Sequence, residues 1–383
     1  MFNSVRGVSN MTVHKTLARA RNICLSFTIF LLMMIVVRGP PATVEEELML
    51  AARLSGPLSY DDPDLLHVVT HFFLHPPSTL PYHLVRDQQY SAEKVTYSSY
   101  ENEFAFTFYK NVMNDLFEGA PPGFFVEAGA LDGEFLSNTL SLETNSGWTG
   151  LLVETDGDMF NQLLRKRRQS WACHTCLATQ AHPHLAILVK YLHNSHFNTF
   201  TSHSARARGS LMSVAGGANF DMSEQSHRAY ESVQCLPLAT LLLAMNITHV
   251  DMVSLDVEGA EEDILRHFPW DRITVDVWLV EHQIHTPSDS IYSAQVSFSG
   301  SSPDAPRRLE ATNNHKFSTA SSKQEKVDGE FVSMFIIHGY ELYKVKTDPI
   351  PDYVFIRKDS KVDKRLKARG LSSKIADIGS HSL

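Results

Sequence analysis

The chain has 383 residues, 43% of them hydrophobic, and a formal net charge of −9 at pH 7. That length holds one large domain with appendages. The acidic balance offers no general basic surface, which excludes a nucleic-acid partner, and four cysteines are too few for a disulfide scaffold.

Residues 1–21 carry Arg6, Lys15, Arg19 and Arg21 and no acid; Ile23 to Val37 is apolar apart from Ser26 and Thr28, and Glu45, Glu46 and Glu47 follow. Basic before and acidic after is the positive-inside arrangement. It predicts a cytoplasmic tail at 1–21, a single-pass signal anchor at 22–38 and a body across the membrane. The run is shorter than the roughly twenty residues that span a bilayer, so the helix borrows its flanks, with Arg21 and Arg38 snorkelling. A cleavable signal peptide and a buried helix of a cytosolic protein are the alternatives.

Residues 39–95 are rich in Pro, Ser and Tyr, with short apolar patches such as Leu65 to Phe73, and read as a stalk or an extension wrapped on the domain. Tyr100 to Gly119 has helical spacing (Phe104, Phe108, Met113, Leu116, Phe117) and is expected to pack on a sheet. Pro121-Pro122-Gly123 leads into a strand, Phe124 to Val126, then a turn with Gly129 and Gly133, then a helix from about Ser137. Leu151 to Glu154 is the second strand. Asp158 to Gln169 reads as a helix whose Arg165-Lys166-Arg167-Arg168 cluster is a solvated end, suited to the helix dipole. Trp171 to Leu177 is predicted as the third strand and 194–232 as a loop over the site. A helix, Pro237 to Met245, precedes the glycosylation sequon Asn246-Ile247-Thr248. The fourth strand ends in Asp256 and Glu258 and turns at Gly259. Ala260 to His267 is a helix stopped by Pro269, and Val275 to Val280 is a fifth strand ending in Glu281-His282. Residues 283–326 are polar and read as a disordered insertion. Phe331 to His338, Tyr340 to Val345 and Tyr353 to Ile356 give a last helix and two strands, and 359–383 reads as a polar tail.

A strand running into a glycine turn and a helix is the usual first unit of a nucleotide-type site, with ligands at the carboxyl ends of parallel strands. Gly129 lets the backbone approach a ligand, and Glu154, ending the second strand, is placed to take both hydroxyls of a ribose. The glycines do not follow Gly-x-Gly-x-x-Gly, so a pyrophosphate lacks its cradle. That favours an adenosine ligand without a diphosphate, such as S-adenosylmethionine.

The stretches FFVEAGALDGEFLSNTL, GWTGLLVETD, VDMVSLDVEGAEEDIL and PWD resemble the FkbM-type methyltransferase domain and, within it, the Star-like branch of arthropod membrane proteins. The resemblance covers roughly residues 100 to 285, with a weaker tail to about 358. Asp256-Val257-Glu258-Gly259-Ala260-Glu261 and Leu136-Ser137-Asn138-Thr139-Leu140 carry it most specifically. Glu154-Thr155-Asp156-Gly157 stands where the family has Glu-Ala-Asp-Pro, and the carboxylate is kept. The resemblance implies a class I, Rossmann-like methyltransferase fold, α/β with a mostly parallel sheet, over 96–358. It also implies a type II membrane protein of the endoplasmic reticulum and Golgi.

Under this reading Glu127, Gly129, Asp132, Gly133, Glu154 and Asp256 hold the cofactor. Asp256 faces the transferred methyl, and Glu281 and His282 are candidate bases for an acceptor hydroxyl or amine. A second reading keeps the fold but uses it without catalysis, because a fold does not fix a function; the resemblance to the Star-like branch implies such a role, as an escort for membrane-protein cargo such as growth-factor precursors. Cys173-His174-Thr175-Cys176 lacks a thioredoxin-like context and zinc-site spacing. In an oxidising lumen a structural disulfide is simpler. Three pairings are open; Cys176 with Cys235 is favoured because both end segments flanking the same half of the sheet, with Cys173 left a buried thiol.

Overall fold

The computed structural model describes residues 54–84, 100–192, 206, 209–215, 228–282, 327–346 and 350–371. In chain order the strands are β1 (Leu74–His75), β2 (Phe124–Ala128), β3 (Thr149–Glu154), β4 (Trp171–His174), β5 (Cys176–Leu177) and β6 (His184–Tyr191). They continue as β7 (Ser210–Leu211), β8 (Arg228–Leu236), β9 (His249–Leu255), β10 (Thr274–Glu281), β11 (Tyr340–Lys346) and β12 (Asp352–Arg357). The helices used below are α1 (Pro63–Val68), α2 (Tyr100–Phe117), α3 (Leu140–Ser146), α4 (Gly157–Lys166), α5 (Leu238–Ala244), α6 (Glu261–Arg266), α7 (Gly329–Ile337) and α8 (Lys361–Ala368).

Eight strands form the main sheet in the order β1-β4-β3-β2-β9-β10-β12-β11. β4, β3, β2, β9 and β10 are parallel, and the hairpin β11/β12 and short β1 close the two edges antiparallel. Because side chains alternate along a strand, Leu151 and Val153 enter one apolar cluster and Leu152 the other. Helices α2, α3, α4 and α8 contribute to the cluster containing Leu152, and α1, α5, α6 and α7 to its counterpart. Both faces are therefore covered, as a parallel sheet requires. From β2 the chain winds outward through β3 and β4, then returns to place β9 on the other side of β2. That reversal opens a crevice at the carboxyl ends of β2 and β9.

Several elements differ from the sequence reading. Trp171 to Leu177 is not one strand. After His174 the chain leaves the main sheet, Thr175 Oγ1 donates to Gln234 O at 2.7 Å, and Cys176-Leu177 pair with β8 in a second sheet ordered β5-β8-β6-β7. Part of the presumed loop 194–232 is thus strand. The extension before the domain does agree with one of its two readings, the extension wrapped on the domain: it carries α1, capped by Asp62, and Leu65 and Val69 are fully buried. The presumed polar tail begins with α8, whose Val362 and Leu366 are buried. Residues 1–53, 85–99 and 283–326, with the apolar run, both ends of the stalk and the insertion, lie outside the described residues. Among the described residues no helix is long and apolar enough to cross a membrane.

Candidate ligand-binding site

The crevice is a cavity of about 200 Å³, partly open to solvent. Its floor is the turn after β2. Gly129 sits at φ +85°, and a Cβ there would meet Asp256 O at 1.9 Å, so the two strand ends approach to a distance only glycine allows. Gly129 N and Ala130 N both donate to Val153 O at 3.1 Å, which ties the turn to β3.

Three buried carboxylates fasten the loops around this floor. Glu127 accepts from Ser137 Oγ, Asn138 N and Thr139 Oγ1 at 2.8, 2.7 and 2.6 Å, fixing the approach to α3. Glu154 accepts from Leu131 N and Asp156 N, both at 2.7 Å. Burial pushes its carboxyl up to about 7, against those two bonds. Glu261, also pushed up to about 7 by burial, accepts from Val257 N at 2.7 Å and Gly259 N at 2.9 Å and so shapes the loop after β9. Buried carboxylates satisfied by backbone N–H groups are rigid supports, and Glu127 and Glu154 also line the cavity.

At the far side, Asp256, Glu258 and Glu281 bring carboxylate oxygens within 4.8 Å of one another. Asp256 and Glu281 share a hydrogen bond across the ends of β9 and β10. Burial raises both groups above the ordinary carboxylate range, and for Glu281 the Asp256 charge adds to it. The pair therefore retains a proton and behaves as one titrating unit. Behind it lies a buried network absent from the sequence reading: Tyr109 Oη donates to Asp352 at 2.5 Å, and Lys346 pairs with the same carboxylate.

The other predicted positions sit elsewhere. Asp132 accepts from Glu134 N and Phe135 N at 3.0 and 2.6 Å and pairs with Lys166 at 3.2 Å, so it shapes its own turn. Asp132, Gly133 and His282 are not in the cavity lining. The His282 ring stacks on Phe331 at 3.8 Å and bonds to Asp328 at 3.1 Å. The supposedly solvated basic cluster is half structural. Arg168 is buried, bonds Glu143 at 3.1 Å and donates to Gly133 O at 2.5 Å, while Lys166 reaches Glu134 at 2.6 Å. These two cations clamp the glycine turn from behind.

The second sheet and the segment leading into β7 supply the remaining wall through Leu188 and Leu211, and Arg206 and Gly209, respectively. Arg206 bonds Asp156 at 2.6 Å and Asp158 at 2.5 Å, and its hydrogen bond holds the Asp158 carboxyl below its ordinary value. Cys176 and Cys235 are disulfide-bonded, and Cys173 is a buried thiol.

Backbone strain gathers here too. Of the non-glycine residues with positive φ, Arg167, Asn246 and Asp359 lie at helix ends or in turns, whereas Leu131 (47°), Leu136 (55°) and Glu258 (59°) line the cavity. Left-handed leucine is costly and is kept where the surroundings impose it.

Among the described residues Arg206 is the single cation in the lining, and two aspartates neutralise it; the described lining carboxylates are Glu127, Glu154, Asp156, Asp256, Glu258 and Glu281. This donor set suits a cationic ligand bearing a diol and is unsuited to a diphosphate. Residues 127–305 match the family model described as Methyltransferase FkbM domain, a span that starts at Glu127 and takes in Gly129, Glu154, Asp256 and Glu281. No curated protein matches the chain, so the Star-like branch rests on the sequence resemblance alone.

Proposed function

We propose that this chain is an S-adenosylmethionine-dependent methyltransferase acting on a hydroxyl or amine. The observation that carries the reading is that the Gly129 turn, Glu154 and the Asp256–Glu281 pair meet in one cavity at the crossover point of the sheet, within the FkbM match. Glu154 would take the ribose hydroxyls, the backbone at Gly129 the part of the ligand nearest the floor, and Asp256 and Glu258 the cationic end. When bound, the cofactor supplies an electrophilic methyl on a good leaving group, which leaves the protein to position the acceptor. The Asp256–Glu281 unit is placed to receive the proton that a hydroxyl or amine gives up.

We also place the body in the lumen of the secretory pathway, on an endoplasmic reticulum or Golgi membrane, as a single-pass type II protein. Support comes from the charge order around Ile23 to Val37, the Cys176–Cys235 bond and the exposed sequon, where Asn246 sits at φ 58° after α5. The escort reading draws on different observations. The Glu127 and Glu154 carboxylates are satisfied by their own loops, and Leu185, Ile187 and Tyr230 share an exposed face of the second sheet that membrane cargo would cover.

Calorimetry of the full-length protein with S-adenosylmethionine and S-adenosylhomocysteine separates the two. Saturable binding of both, lost in Gly129→Ala, supports the enzyme. Absence of binding by folded, oxidised protein leaves the escort.

A further inference from the structure

Cys176 does two things at once: it lines the ligand cavity, and it is bonded to Cys235 on a neighbouring strand. The chain enters the second sheet at Cys176-Leu177 and comes back at Cys235-Leu236 before α5. Between those points it builds the wall made by Leu188, Arg206, Gly209 and Leu211. The non-covalent join at the base of this excursion is short. It consists of the parallel pairs Cys176↔Cys235 and Leu177↔Leu236, with Thr175 Oγ1 donating to Gln234 O at 2.7 Å and Ala178 N to Leu236 O at 2.9 Å; away from the base, Arg206 and Lys190 also pair with Asp156 and Asp158. β5 follows directly on β4 of the main sheet, and a two-residue ladder alone gives weak registration of β8 against it. Cys173, the other described cysteine, is fully buried, and burial pushes its thiol well up. It therefore stays protonated and is a poor partner for exchange.

We propose that the Cys176–Cys235 bond is a positioning element of the ligand site: it seats the second-sheet wall against the main sheet, and its reduction releases that wall and weakens adenosyl-ligand binding. The inference rests on the S-adenosylmethionine reading of the cavity. Reduction by a dithiol cleaves the sulfur–sulfur bond, moves two electrons and two protons to Cys176 and Cys235, and leaves the reductant as its own disulfide. Both sulfurs belong to buried residues, at 2% and 0% exposure, so reduction must follow opening of the wall. By linkage, a ligand that prefers the seated wall slows that opening.

The test uses the full-length protein and S-adenosylhomocysteine as probe. Oxidised wild type should bind about tenfold or more tightly than Cys176→Ser/Cys235→Ser, within the usual range of coupling between sites. A second variant, Cys176→Val/Cys235→Val, keeps an apolar pair without the covalent link and should show the same loss. The probe should also slow reduction of the wild-type bond by dithiothreitol. Without ligand, hydrogen exchange on reduction should rise in β6 and β8 and hold steady in β2, β3 and β9. Binding equal to wild type in either folded variant overturns the inference and leaves the methyltransferase reading standing. So does an exchange increase spread evenly over both sheets, which marks general destabilisation. If oxidised wild type binds no probe, the methyltransferase reading falls and this inference with it.

Discussion

The two ends of β9 and β10 carry similar residues in opposite electrostatic states. At the amino end, His249, Asp251 and Asp276 cluster, and each is answered. Asp276 is fully buried and bonds Arg357 at 3.0 Å and His249 at 3.3 Å, while Asp251 accepts from Phe124 N at 2.8 Å. Burial would raise the Asp276 carboxyl, but the hydrogen bonds from His249 and Arg357 overcome it and hold the group below its ordinary value; the same bond raises His249. At the carboxyl end, Asp256 and Glu281 bond to one another and both are raised. Local neutralisation marks a structural cluster. Carboxylates held together against their own repulsion, in a cavity, mark a site prepared for something else.

The comparison breaks most completely at Gly129. Gly129→Ala would put a Cβ into Asp256 O and force a side chain onto φ +85°. The expected loss is about 4 kcal/mol or more in urea unfolding, together with all binding of S-adenosylhomocysteine. Binding preserved at wild-type strength would mean that the ligand does not use this turn.

Removing one partner at each end should sharpen the contrast. Arg357→Ala strips the buried Asp276 of its cation. Since Arg357 is itself 36% exposed, the expected cost is about 1–3 kcal/mol of stability, with ligand affinity unchanged. Glu154→Ala at the cavity should instead weaken S-adenosylhomocysteine by about 1.5–3 kcal/mol, the range for hydrogen bonds to a charged group. Calorimetry and urea melts on both variants decide the matter. If each moved the same quantity, the division into structural and ligand ends would be void.

The pH dependence separates the carboxylates of the two ends in sign, Asp276 lowered and Glu281 raised. Asp276, with its folded pKa lowered, adds stability above its ordinary 3.8 and loses it as the pH falls through the folded value; His249, raised, adds stability below 6.5 and loses it as the pH rises through its folded value. Glu281 is raised, so its contribution is present below 4.5 and is lost as the pH climbs above that. Glu281→Gln should therefore flatten the decline in stability between pH 5 and pH 8 by up to about 1.4 kcal/mol per pH unit. Urea midpoints across that range that match wild type would show that the pair carries no extra proton.

Much of this contrast was local enough to read from the chain. Gly129, Glu154, Asp256 and Glu281 each close an apolar run, and a parallel strand points its last residues at the crevice. His282 lies outside the cavity lining for an equally local reason. Successive strand residues face opposite sides, so placing Glu281 in the cavity sends His282 away to Phe331. The rest is long-range. Nothing near Arg168 in sequence says that Glu143 and the Gly133 carbonyl will neutralise it. The apolar run Trp171 to Leu177 hides a change of sheet that the partner strand β8 imposes at Thr175. In the C-terminal segment, Val362 and Leu366 stand four apart among charges, an amphipathic signal that a polar average conceals.

The smallest expected effect is also the most selective. Leu136 is 57% exposed, lines the cavity and sits at φ 55°, a conformation that a leucine adopts at a cost and an asparagine tolerates. Leu136→Asn should therefore leave stability unchanged or raise it by up to about 1 kcal/mol. If the strained backbone is kept in order to present an apolar group to the ligand, the same variant should weaken S-adenosylhomocysteine severalfold. Arg167→Asn is the control. It relieves a similar backbone, φ 58° at the end of α4, where the residue caps a helix away from the cavity lining. Thermal melts should move alike for the two variants, and only Leu136→Asn should move the calorimetric affinity. Equal affinity in both would make the strain at Leu136 a property of the turn, and the cavity would lose one of the features that set it apart from the amino end of the sheet.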